Sequence, residues 1–172
     1  MSTAWVARAP RAAFWLSFGV AVLVLAVDQL TKWWALASLT PGVRRPVMGD
    51  LLGLQLTTNS GAAFSVGTQS TWVFTIIAAA AVIVIVWFAW GVRSAWWAVA
   101  LGLVLGGAAT HLGDRLFRPP AFGEGHVIDF IAYANLFIGN VADIAIVGGA
   151  VFVVLLMVFG VPTGRTVQRK SS

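Results

Sequence analysis

Four apolar stretches, each close to the roughly 20 residues that cross a bilayer's hydrocarbon core, constrain this chain more than any other feature. The first runs from Ala12 to about Trp34 (12–34) and is interrupted by Asp28 and Lys32. The others cover approximately 71–92, 95–113 and 140–161. A water-soluble enzyme is excluded on these grounds. Charged residues make up 10% of the chain, against about 25% in soluble domains. Trp72, Trp90, Trp96 and Trp97 sit at span ends, where aromatic rings favour the headgroup zone. The expected fold is an all-α membrane protein: four transmembrane helices in one integral-membrane domain, 1–172. Two longer connections (35–70 and 114–139) leave one face, and a tail (162–172) leaves the other.

Charge placement orients the bundle. With the N-terminus inside, Arg8, Arg11, Arg93, Arg165, Arg169 and Lys170 share the cytoplasmic side with no acid. Lys32, Arg44, Arg45, Arg115 and Arg118 share the outer side with all six carboxylates: Asp28, Asp50, Asp114, Glu124, Asp129 and Asp143. The positive-inside rule therefore predicts N-in, C-in. A net charge of +5 is explained by topology, because the basic residues form no patch with interleaved aromatics that would bind nucleic acid. Arg8, Arg11 and the apolar run before Ala35-Leu36-Ala37 imitate a cleavable signal peptide. Asp28, Gln29, Lys32 and two tryptophans crowd that segment and argue for a retained span.

Ionisable residues near a bilayer are costly and mark functional sites by default. Asp50 and Glu124 read as ordinary loop charges. Asp28, Thr31 and Lys32 share one helix face, with Asp28 and Lys32 spaced for an intrahelical ion pair. Gln55-Leu56-Thr57-Thr58 has strand character and leads into Asn59-Ser60-Gly61-Ala62-Ala63-Phe64-Ser65. This small-residue segment is either a turn or a surface for an extended peptide, with Asn59 offering both donor and acceptor. His111, Asp114 and Arg115 follow the small run Gly106-Gly107-Ala108-Ala109, and Arg115 needs a carboxylate or the water interface. Asn140 followed by Asp143 has the spacing of an N-cap with an acidic third position, a purely structural reading of Asp143. A second isolated aspartate, Asp129, stands 14 residues upstream. Two carboxyls held together cannot both ionise easily, so one keeps a proton while the other activates water.

Competing chemistry is thinly represented. The chain has no cysteine, hence no thiolate nucleophile and no cysteine-held metal. There is no His-Glu-x-x-His or Gly-x-Ser-x-Gly. One metal alternative survives, in which His111, Asp114, His126 and Asp129 supply two nitrogens and two oxygens. No metal or cofactor is expected for the preferred reading.

Val27-Asp28-Gln29-Leu30-Thr31-Lys32, Asn59 to Ser65, Gly106-Gly107-Ala108, Asp114-Arg115-Leu116, Val127-Ile128-Asp129-Phe130 and Asn140-Val141-Ala142-Asp143, taken in order, resemble the bacterial lipoprotein signal peptidase (signal peptidase II) family. The resemblance implies a four-span aspartyl endopeptidase of the bacterial cytoplasmic (inner) membrane, inhibited by globomycin, with its site at the extracytoplasmic side. Its substrates would be prolipoproteins, cut before a cysteine already carrying diacylglyceryl. It implies Asp129 and Asp143 as the catalytic pair. Asp28, Lys32, Asn59, Gly61, His111, Asp114, Arg115 and Asn140 would support the site or bind substrate, and the first long loop would form a small extracytoplasmic β-sheet. Two departures stand out: His111 occupies the family's usual Asn position, and Gly139 its usual Phe position. An imidazole can still donate one hydrogen bond and accept another. His111→Asn is therefore expected to stay active and to flatten an acid-side loss between about pH 5 and 7. The expected partners are lipidated prolipoproteins and membrane lipid, the expected state a monomer. The rival classes are a small transporter, which would need charges at mid-membrane in the second and fourth spans, and a non-catalytic scaffold.

Overall fold

A computed structural model of the chain describes residues 11–61 and 71–164. The order is α1 (Ala12–Ser38), β1 (Arg45–Met48), β2 (Leu52–Asn59), α2 (Thr71–Trp90), α3 (Ala95–Phe117), β3 (Val127–Tyr133), β4 (Phe137–Gly139) and α4 (Val141–Val158). All four helices are long and apolar enough to cross a membrane. Their surfaces are inside-out by soluble standards, with Trp15, Leu23, Ile83, Trp87, Val147 and Val154 all exposed. Lipid takes the place of a second packing layer.

The helices do not end where the first charge appears. α1 continues past Trp34 to Ser38, and α3 runs beyond Gly113 to Phe117, carrying Asp114 and Arg115 within it. The α1 extension, Ala35 to Ser38, is uncharged, and the α3 extension is tolerated because Asp114 and Arg115 find partners inside the protein. α2 stops at Trp90 and α4 at Val158, short of the expected ends at 92 and 161. Asn140 lies outside α4 as its N-cap.

α3 is the central helix, packed on α1, α2 and α4, and its small residues are the reason. A Cβ on Gly106 would lie 2.8 Å from the Ala21 carbonyl oxygen of α1. One on Gly107 would lie 2.7 Å from the Ala142 carbonyl oxygen of α4. Only glycine lets the backbones approach so closely from both sides.

The strands form one antiparallel sheet in the order β1-β2-β3-β4, with Thr57 opposite Asp129 and Ile131 opposite Gly139. A register shift between Leu54 and Thr57 bends β2. Leu56, Ile128 and Phe130 seat the sheet on Ala35 and Leu39 at the end of α1. At the opposite end of the bundle, Arg11 lies over the Trp90 ring at 4.4 Å, and Arg93 N–H donates to the Thr163 carbonyl. Helix starts and ends thus alternate, and every carboxylate lies toward the sheet end. The basic residues Arg8, Arg165, Arg169 and Lys170 and the segment Ala62–Ser65 lie outside the described residues.

Candidate active site

Asn140 organises the site. Its side-chain oxygen accepts from the Asp143 N–H at 3.1 Å, and Asp143 Oδ2 accepts from the Asn140 N–H at 2.8 Å. This is a reciprocal capping box at the start of α4. The Asn140 amide nitrogen then reaches in the other direction, donating to Asp129 Oδ1 at 2.6 Å. Asn59, at the end of β2, donates to the other oxygen of Asp129 at 3.2 Å and accepts from the Gly61 N–H. One continuous chain of contacts therefore links Gly61, Asn59, Asp129, Asn140 and Asp143. The structural cap foreseen for Asp143 is real, but it occupies a single carboxylate oxygen.

The two aspartates differ in environment. Asp129 is 3% exposed, whereas the Asp143 side chain is 37% exposed. Burial, followed by the neighbouring charge of Asp143, pushes the Asp129 carboxyl up to about 6, against the pull of its Asn59 and Asn140 hydrogen bonds. Both open on a groove of about 580 Å³ whose walls include Thr57, Gly61, Arg115, Leu136, Phe137 and Val147. Its lining mixes polar and apolar side chains.

Beneath this pair lies a second cluster. Lys32 Nζ contacts Asp28 at 2.6 Å and Asp114 at 2.7 Å, and Asp28 and Lys32 are fully buried. Arg118 contacts Asp114 at 2.7 Å. Thr110 donates to Asp28 at 2.5 Å, and Gln29 donates to Thr110 and Asp114. Asp28 Oδ1 also accepts the Ala142 N–H at 2.9 Å, so this cluster helps hold the α4 N-terminus that carries Asp143.

Several sequence expectations need correction. Among the described residues Arg115 takes no carboxylate at ion-pair distance: it donates to the carbonyls of Ser60 and Gly61 and lies over the Phe74 ring. That arrangement fixes the end of β2 against α3. Thr31 bonds back to its own helix, at the Val27 and Asp28 carbonyls, and takes no part. His111 is directed away from Asp114, toward Asp143, with Nε2 3.2 Å from Oδ1. The metal alternative loses its geometry, because Asp114 is engaged by Lys32 and Arg118. Among the described residues no three His, Asp or Glu side chains are grouped to hold a metal ion. Gln29, Thr110 and Arg118 were missed. Only Arg118, four residues after Asp114 on one helix, carried a readable signal.

A multi-pass helical membrane protein with an amide-bridged carboxylate pair facing a groove belongs to the class of membrane-embedded hydrolases. Residues 20–159 match the family described as Signal peptidase (SPase) II. The lipoprotein signal peptidase of Mycobacterium avium (strain 104) is 44% identical over 171 residues, covering 99% of this chain and 93% of that protein. That of Rhodococcus jostii (strain RHA1) is 47% identical over 153 residues, 88% and 76% of the two chains. A solved bacterial membrane enzyme, determined by the in meso method at 2.3 Å resolution, superposes with a TM-score of 0.73 at 25% identity, covering 90% of this chain and 94% of that one. The chain belongs to the signal peptidase II family and is a membrane protease. That membership removes the transporter and scaffold alternatives.

Proposed function

We propose that this peptidase acts through Asp129 and Asp143 as a water-activating dyad. As a family member, the protein removes signal peptides from prolipoproteins. The observation that carries the dyad is the Asn140 bridge: its side-chain amide donates to the Asp129 carboxylate, its backbone N–H donates to the Asp143 carboxylate, and both acids line the same groove. In the reaction, Asp143 takes a proton from water, and the oxygen attacks the scissile carbonyl. Asp129, the carboxyl held up to about 6, gives its proton to the carbonyl oxygen. Collapse of the tetrahedral intermediate returns a proton to the departing amine, breaks the C–N bond and leaves the peptide acid. Asn59, Asn140 and the carbonyls fixed by Arg115 orient the pair and the substrate backbone.

The apolar residues lining the groove, Leu136, Phe137 and Val147 among them, suit a substrate whose cysteine carries diacylglyceryl and is presented from the bilayer. The distribution of basic residues supports a cytoplasmic-membrane protein, N-in and C-in, with the dyad at the extracytoplasmic surface. The decisive experiment is cleavage of a diacylglyceryl prolipopeptide by purified Asp129→Asn and Asp143→Asn variants. Each is expected to be inactive while retaining its fold, and turnover by either refutes the dyad. Persistence of wild-type cleavage in EDTA is the companion result.

A further inference from the structure

We propose that His111 is a third ionisable member of this site, a positioning residue whose imidazole holds the Asp143 carboxylate and sets the pH range over which the dyad works. The inference rests on the dyad reading above. Its first support is geometric. Asp143 Oδ2 is taken by the cap, and the remaining oxygen lies 3.2 Å from His111 Nε2. That nitrogen is buried and makes no aligned hydrogen bond among the described residues, so the interaction is a close electrostatic approach rather than a fixed strut. A second support comes from the opposite side of Asp143. A Cβ on Gly139 would lie 2.7 Å from Asp143 Oδ2. The carboxylate thus has an imidazole at one oxygen and a position with no side chain at the other.

The other charged groups around His111 are already engaged. On its own helix, Asp114 is committed to Lys32 and Arg118, and Arg115 to backbone carbonyls. On α1, Asp28 and Lys32 pair with each other, and α2 has no charged residue. On β3, Asp129 is bound by two amides, and Tyr133 feels the charge of Asp143. The imidazole charge also reaches Asp129, but Asp143 on α4 is the carboxylate at contact distance. A proton on His111 therefore meets an anion. The expected pH effect changes sign accordingly. A cation beside Asp143 keeps the general base charged to lower pH. Without it, activity falls earlier as the solution is acidified.

The test compares pH profiles of kcat/KM for the full-length wild type, His111→Gln and His111→Asn, using an internally quenched diacylglyceryl prolipopeptide. Both variants are expected to turn over, with the acid limb moved to higher pH by about one unit. A superimposable acid limb, or one moved to lower pH, overturns the proposal. A second measurement needs no activity: the ring carbon NMR signals of His111 are titrated in wild type and Asp143→Asn, with His126→Gln used for assignment. The two titration curves are expected to differ, and coincident curves overturn the proposal. The failures are separable. Turnover by Asp143→Asn refutes the dyad itself, whereas an inactive Asp143→Asn with an unchanged His111 titration refutes only the role given to His111.

Discussion

Two polar clusters lie side by side at the sheet end of the bundle, and they satisfy their carboxylates in opposite ways. Asp28 and Asp114 are answered by cations, Lys32 and Arg118, in a setting that is almost fully dry. Asp129 and Asp143 are answered by neutral amides from Asn59 and Asn140, with the His111 imidazole beside Asp143, and face a groove. A carboxylate locked to a buried ammonium has no reason to exchange a proton. One held by amides beside another carboxylate has a strong reason. In the proposed mechanism, the partner chosen for each acid, not the acid itself, separates scaffold from chemistry.

That contrast can be broken at either cluster. Asp129→Asn and Asp143→Asn are expected to lower turnover by about 10⁴-fold, the upper range for a proton-transferring group, without lowering the thermal unfolding temperature. In the Asp143→Asn variant the new side-chain amide keeps an oxygen that can accept the cap from the Asn140 N–H. Lys32→Met is expected to do the reverse. It leaves the buried Asp28 with no cation and Asp114 with Arg118 alone, so thermal unfolding in detergent should reveal a loss of about 3–5 kcal/mol. A stable Lys32→Met enzyme would erase the distinction between the two clusters.

Finer effects sharpen it. Asn59 donates to Asp129 and favours its charged form. Asn59→Ala is therefore expected to let Asp129 hold its proton to higher pH than the present value of about 6, moving the alkaline limb of the kcat/KM profile upward. A limb that stays in place would show that Asp129 is not the proton donor. The smallest effect is expected at Asp50, exposed in the β1–β2 turn, where Asp50→Cys should cleave at the wild-type rate. In this cysteine-free chain that thiol also reports topology. It should react with an impermeant reagent in intact cells, whereas Ser94→Cys at the opposite end should react only after permeabilisation. The reverse labelling would place the dyad on the cytoplasmic side.

Much of this was legible in the primary structure. The four spans follow from apolar runs, because a bilayer demands internally satisfied backbone and tolerates few charges. The Asp28–Lys32 pair and the Asn140–Asp143 box are local, decided within one turn of helix, and can be read from spacing alone. Asp129 and Asp143 stood out as isolated acids in uncharged surroundings. Helix ends were less accessible, since α3 continues through Asp114 and Arg115, whose partners lie on other elements.

What the tertiary structure alone decided is which acid meets which partner. His111 and Asp114 are three residues apart, so their directions differ by about 60° around the helix axis. In an isolated helix that separation leaves them neighbours. Here α3 is wedged between α1 and α4 by Gly106 and Gly107, and the same separation sends Asp114 to Lys32 and His111 to Asp143. The residue types and spacing determined the span count, the local caps and the stock of acids. The rotation of α3 between two backbones, which no local spacing encodes, decided that one pair of carboxylates became scaffold and the other remained open to chemistry.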